Sequence, residues 1–170
     1  MTLTKDDYLA FRRRFEPEHV KLVIVAESPP VSGKYFYNPD GAISEPLFAA
    51  LMKQLGVSPT RKEDGLREFQ RQGWVLVDAT YEPVNVDEKN RNAVIVRDYP
   101  LLRDDLSEML PDRSLPVVLL KANVCRLLEH MLRGDGFNVL NKGRVVYFPS
   151  TGRQPDFHRQ FSEILRDAGK

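Results

Sequence analysis

Four short apolar runs, each leading into a polar loop, constrain this chain more than any other feature. They are Leu22–Ala26 leading into Glu27 and Ser28, Trp74–Val77 into Asp78, Pro116–Leu120 into Lys121, and Val145–Phe148 into Ser150 and Thr151. Such runs read as strands, expected over 20–26, 74–78, 116–120 and 144–148. Between them lie helical segments. These run from a Thr4 cap to about Phe15, from a Ser44 cap through Leu55, from near Thr60 to before Gly73, over 97–109, and from Asn123 to before Gly134. A closing helix puts Phe157, Phe161, Ile164 and Leu165 on one face. The strand–helix alternation implies a parallel sheet with helices on both sides. Ligands of such sheets bind outside the carboxyl ends of the strands. Glu27, Ser28, Asp78, Lys121, Ser150 and Thr151 are therefore expected to gather at one edge.

Composition narrows the function classes. A chain of 170 residues, 42 % hydrophobic and 29 % charged, is expected to form one domain, 1–170. Its 25 Lys and Arg nearly balance 24 Asp and Glu, so a nucleic-acid partner would need a local basic patch. One cysteine, Cys125, excludes an internal disulfide and a cysteine-only metal cluster. No His, Cys and Asp grouping has ligand spacing, so no metal and no cofactor are expected. Without a signal peptide or an apolar run of transmembrane length, the expectation is a cytoplasmic monomer away from membranes. The loops over 27–43 and 79–96 are long for a compact domain, and such loops are often functional.

Read in order, the strand-end segments resemble the uracil-DNA glycosylase superfamily over roughly residues 20–166. Members carry a first-strand motif of the type G-Q-D-P-Y or G-E-A-P-G, matched here by Ala26-Glu27-Ser28-Pro29-Pro30. An aromatic then follows a Gly-x-x spacing, as in Gly33-Lys34-Tyr35-Phe36. A segment of the type Q-G-V-L-L-L-N is matched by Gln72 to Asp78, and the final H-P-S motif by Phe148-Pro149-Ser150. The resemblance implies a three-layer α/β/α domain with a four-stranded parallel sheet, expected in the order 2-1-3-4. It also implies DNA, single- or double-stranded, as partner and a pocket for a base turned out of it. The chain departs from the family at the chemistry: Ser28 replaces a water-activating Asp, Asp78 a base-reading Asn, and Phe148 a His. The branch with Glu at position 27 often carries an iron–sulfur cluster, which a chain with one cysteine cannot ligate in that way.

Each candidate has a plainer alternative. Glu27 is the candidate catalytic carboxylate, or else a strand-end carboxylate hydrogen-bonded to loop amides. Ser28, the second catalytic candidate, is weak as a base and suits a bond to a backbone amide or a phosphate. Phe36 is the candidate stacking residue, or a core plug beneath its loop. Asp78 is the candidate base reader, or a cap for the following loop; ionised, it only accepts hydrogen bonds and opposes uracil O4 unless protonated. Phe148 would line the base site without offering a donor. Ser150, Thr151 and Arg153 resemble a phosphate-gripping loop, or a solvated surface. Lys89 and Arg91 are candidates for phosphate contact, within a stretch that also reads as polar surface. The resulting expectation is a glycosylase-like protein with weak, altered or absent uracil excision. Its rivals are a non-catalytic DNA-binding module of the same fold and a small α/β protein for a free nucleotide or other anion.

Overall fold

The computed structural model describes residues 2–169. Four parallel strands, β1 (Leu22–Ala26), β2 (Trp74–Asp78), β3 (Pro116–Leu119) and β4 (Asn138–Val139), form one sheet in the order β2-β1-β3-β4. Six helices flank it: α1 (Lys5–Arg13), α2 (Pro46–Leu55), α3 (Lys62–Arg71), α4 (Arg91–Met109), α5 (Ala122–Gly134) and α6 (Gln154–Ala168). The fold is a three-layer α/β/α sandwich.

Strand parity sorts the core. Leu22, Ile24, Leu76, Val118 and Leu120 pack on the layer of α1, α2, α3 and α6, beside Tyr8, Phe48, Phe69, Phe157 and Phe161. Val23, Val25, Val75, Val77, Val117 and Leu119 face the other way, onto Ile95, Tyr99, Leu102 and Leu106 of α4 and Val124, Leu128 and Leu132 of α5. One layer is thus strongly aromatic and the other mainly aliphatic. Among the described residues, no helix is long and apolar enough to cross a membrane.

Several boundaries differ from the sequence expectation. Helix α1 starts as expected, with a capping box in which Thr4 Oγ1 accepts from Asp7 N–H and the Asp7 carboxylate accepts from Thr4 N–H at 2.8 Å. Ser44 does not cap α2. Glu45 precedes Pro46 instead, and its carboxylate accepts from Ala42 N–H and from the Lys62 ammonium, both at 2.8 Å. Helix α4 begins at Arg91 rather than at residue 97, because Val94 and Ile95 extend the stripe that Tyr99, Leu102 and Leu106 bury.

The largest difference is at the fourth strand, which is Asn138–Val139 rather than 144–148. Leu140 N–H still donates to Val117 O at 2.8 Å. Asn141 then turns its side chain into the ladder: Oδ1 accepts from Leu119 N–H at 2.8 Å and Nδ2 donates to Leu119 O at 3.1 Å. A turn at Lys142 and Gly143, both with positive φ, carries the main chain away. It returns where Lys121 N–H donates to Val146 O at 2.8 Å. One side-chain amide therefore fills the gap between two pieces of an interrupted strand.

Candidate functional site

Parity also sorts the site. Ala26 and Asp78 are register partners at the ends of β1 and β2. Asp78 falls on the aromatic side. Glu27, one step beyond Ala26, turns to the side of α4 and α5.

A cavity of about 360 Å³ opens at these strand ends beneath the loop over 27–45, and Glu27, Ser28, Phe36, Asp78, Lys121 and Phe148 all border it. Two of its lining residues, Asp78 and Tyr35, each carry a buried polar atom, Oδ2 and Oη, without a hydrogen-bond partner among the described residues. Asp78 is 4 % exposed and Tyr35 1 %. Burial pushes the Asp78 carboxyl up to about 8; Arg12 draws it down, while Glu27 adds to the rise. The nearby Arg12 is already committed, with Nη1 and Nη2 on the Asp105 carboxylate at 2.8 and 2.9 Å and Nη1 also on Tyr81 Oη at 2.8 Å. Burial thus favours the carboxylic acid form of Asp78, one O–H donor beside one C=O acceptor.

Phe36 is a core residue that also forms cavity wall. It is 6 % exposed, with its ring edge-on to Tyr37 and Phe69 at centroid distances of 4.9 and 5.1 Å. Phe148 is half-buried on the same cavity.

Glu27 has the opposite environment. Oε1 accepts from Lys121 Nζ at 2.7 Å and from Arg91 Nη2 at 2.9 Å; Oε2 accepts from Asn123 Nδ2 at 2.6 Å and from Arg91 Nε at 3.0 Å. Burial acts to raise its pKa, but bonds from Lys121, Arg91 and Asn123 outweigh it and hold the carboxyl below its ordinary value. Four donors saturate the two oxygens, so orienting a water requires one donor to swing away. The partners are side chains, not the loop amides considered from sequence. Asn123 lies in the first turn of α5 and is not its cap; the cap position belongs to Lys121, at φ 86° and ψ 134°.

Ser28 Oγ accepts from Val84 N–H at 3.2 Å, tying the first long loop to the second. Asn85 Oδ1 repeats the tie by accepting from Val31 N–H at 2.9 Å. Lys62, 2 % exposed, pins the same loop by donating to Tyr35 O and Glu45 Oε1, each at 2.8 Å.

The final loop divides. Ser150 and Arg153 line a shallow groove that shares Lys121 and Phe148 with the cavity. Thr151 instead lines a separate depression with Lys53 and His158. Of the six residues expected to gather, Glu27, Ser28, Asp78 and Lys121 border the cavity, together with Phe36 and Phe148; Ser150 lies in the adjoining groove with Arg153, and Thr151 lies apart. Arg91 proves to be a Glu27 partner, while Lys89 is exposed and borders neither cavity nor groove. Sequence reasoning missed the roles of Arg12 and Lys62, which lie in no motif, and of the Tyr35 hydroxyl, whose motif points to the next residue, Phe36; only their surroundings single them out.

A larger open groove of about 920 Å³ follows the outer edge of β2 between α1 and α4. Its Asp105 and Glu16 are paired with Arg12, and Asp98 with Arg97. Asp78 lines this groove as well, but Tyr35, with the other unpartnered atom, and the rings of Phe36, Phe48 and Phe148 line only the smaller cavity of the two, which makes that cavity the better ligand site. No known family model and no curated protein matches the chain.

Proposed function

We propose that this protein is glycosylase-like: it holds a nucleobase turned out of DNA in the cavity over Asp78 and cleaves the glycosidic bond weakly or not at all. The observation that carries this reading is the pair of buried, unpartnered atoms, Asp78 Oδ2 and Tyr35 Oη, on two residues that line an aromatic cavity at the strand ends. A buried polar atom left without a partner is costly unless a ligand or water completes it. A protonated Asp78 offers the donor and acceptor that an amide would, complementary to a base edge with one carbonyl and one N–H, such as uracil O4 and N3–H. Resemblance of the strand-end motifs to the uracil-DNA glycosylases supports the same reading.

Weak cleavage is supported by electrostatics. Base loss develops positive charge on the sugar and negative charge on the base. Glu27 is outnumbered by Lys121 and Arg91, both ion-paired to it, so the cluster favours no cationic sugar. Phe148 has no donor for the departing base. Binding and base release are to be measured together, on single- and double-stranded oligonucleotides carrying uracil or an amino-bearing base. The expected result is binding that favours uracil below about pH 8 and release far slower than binding. Efficient release, undiminished by Glu27→Gln, would sink the assignment. So would a uracil preference that persists unchanged at pH 9.5 or in Asp78→Ala.

A further inference from the structure

The groove next to the cavity, about 350 Å³, is lined by four cations, Arg91, Lys121, Arg126 and Arg153, and by no Asp or Glu. Counting Glu27 against Arg91 and Lys121, and Asp156 against Arg153, two positive charges remain in excess. Arg126 is exposed and makes none of the ion pairs among the described residues. Arg91 commits Nε and Nη2 to Glu27 and Asn85 O, leaving Nη1 without a hydrogen-bond partner among the described residues. Lys121 spends one of its three donors on Glu27, and its side chain stays 25 % exposed.

The backbone of Lys121 is a separate clue. Its φ of 86° is a conformation that favours glycine, and the only other non-glycine residue there among the described ones is Lys142, in an exposed turn. Strained residues persist where surrounding structure over-determines them, and they cluster at ligand sites. Here Lys121 N–H is held by Val146 O, its carbonyl by Cys125 N–H, and its ammonium by Glu27. All three fix the side chain at the boundary shared by groove and cavity.

We propose that this groove is a phosphate subsite in which Lys121, Arg91 and Arg126 hold the phosphate of the nucleotide whose base occupies the cavity, with Glu27 as the residue that positions Lys121 and Arg91. The pairing of base with phosphate rests on the base-cavity reading above; the anion site itself does not. A cation cluster without acidic lining concentrates anions, and Arg presents a planar fork suited to phosphate oxygens.

The test is calorimetric titration of the wild-type protein, Lys121→Met and Arg126→Met with dUMP, deoxyuridine and inorganic pyrophosphate. Arg126 is exposed and unpaired, so its variant reports on binding even if Lys121→Met fails to fold. We expect dUMP affinity to fall tenfold or more in Lys121→Met and at least threefold in Arg126→Met, with deoxyuridine unchanged within twofold in Arg126→Met, whose side chain lies outside the base cavity. Pyrophosphate binding should fall in parallel with dUMP. Equal dUMP affinity in all three proteins overturns the subsite, as does an equal loss of dUMP and deoxyuridine in Arg126→Met. If wild-type protein binds deoxyuridine as tightly as dUMP, the subsite falls and the base cavity stands. If it binds pyrophosphate in a Lys121-dependent way but neither uracil compound, the subsite stands and the base reading falls. Binding of none of the three overturns both.

Discussion

Two carboxylates one register step apart have opposite fates. Glu27 meets four donors, whereas Asp78 is enclosed among aromatic rings. The charged form of Asp78 is therefore disfavoured, and stability becomes linked to pH. The carboxyl has an ordinary value of 3.8 and about 8 in the fold. Between these values the folded chain keeps a proton that the unfolded chain has released, so the contribution to stability falls as pH rises from about 4 to 8 and is flat above. The titratable groups around Asp78 are common to wild type and an Asp78 variant: Tyr8, Tyr35 and Tyr81 are raised above the ordinary tyrosine value, Glu27 is lowered, and Arg12 is raised. Asp78→Asn keeps the shape and removes the linkage. Urea unfolding at pH 5 and pH 8.5 should show wild-type protein losing about 2–4 kcal/mol relative to Asp78→Asn over that interval. A constant difference between the two proteins would mean that Asp78 is ionised in the fold.

At the scale of elements, the interrupted fourth strand shows how a side chain can stand in for main chain. Asn141 is fully buried and satisfies both Leu119 N–H and Leu119 O; Nδ2 also donates to Arg144 O at 3.1 Å. The detour it allows brings Val146 alongside Lys121, at the mouth of the site. Asn141→Ala leaves Leu119 N–H buried without a partner and Leu119 O with only the Cys125 thiol, at a cost of about 1–3 kcal/mol. Amide hydrogen exchange at Leu119 should accelerate more than at Val25 on the adjacent central strand. Equal protection at Leu119 in the variant would show that β3 does not depend on the amide.

For the whole molecule, near-neutral charge limits how tightly a strand of DNA can be held through phosphates. The groove cations number four, Arg91, Lys121, Arg126 and Arg153. At about 0.7 counterions released per contact on single strands, log affinity should fall against log salt with a slope no steeper than about −3. Fluorescence anisotropy of a labelled uracil-containing oligonucleotide between 50 and 300 mM salt (about a twofold excursion either side of a working buffer) measures it. A slope well beyond that range would require a second basic surface outside the groove.

The sheet was legible in the sequence because its cause is local. Apolar runs of strand length alternating with amphipathic segments imply a parallel sheet, and the order β2-β1-β3-β4 agrees with what the resemblance of the strand-end motifs implies. The edge carrying the site was legible for the same reason, since residues following a parallel strand must lie at its carboxyl end. The fourth strand was not legible: Val145–Phe148 has strand composition, but pairing with β3 was taken by Asn138–Val139 and by the Asn141 amide. Protonation was not legible either, because pKa depends on what surrounds a group rather than on its neighbours in the chain. Arg91 and Asn123 reach Glu27 from 64 and 96 residues away, and Arg12 reaches Asp105 from 93. Composition and pattern thus determined the layers and the edge at which the candidate site lies. Which carboxyl is charged, which cations are free and which polar atoms lack partners were decided only when distant segments packed together.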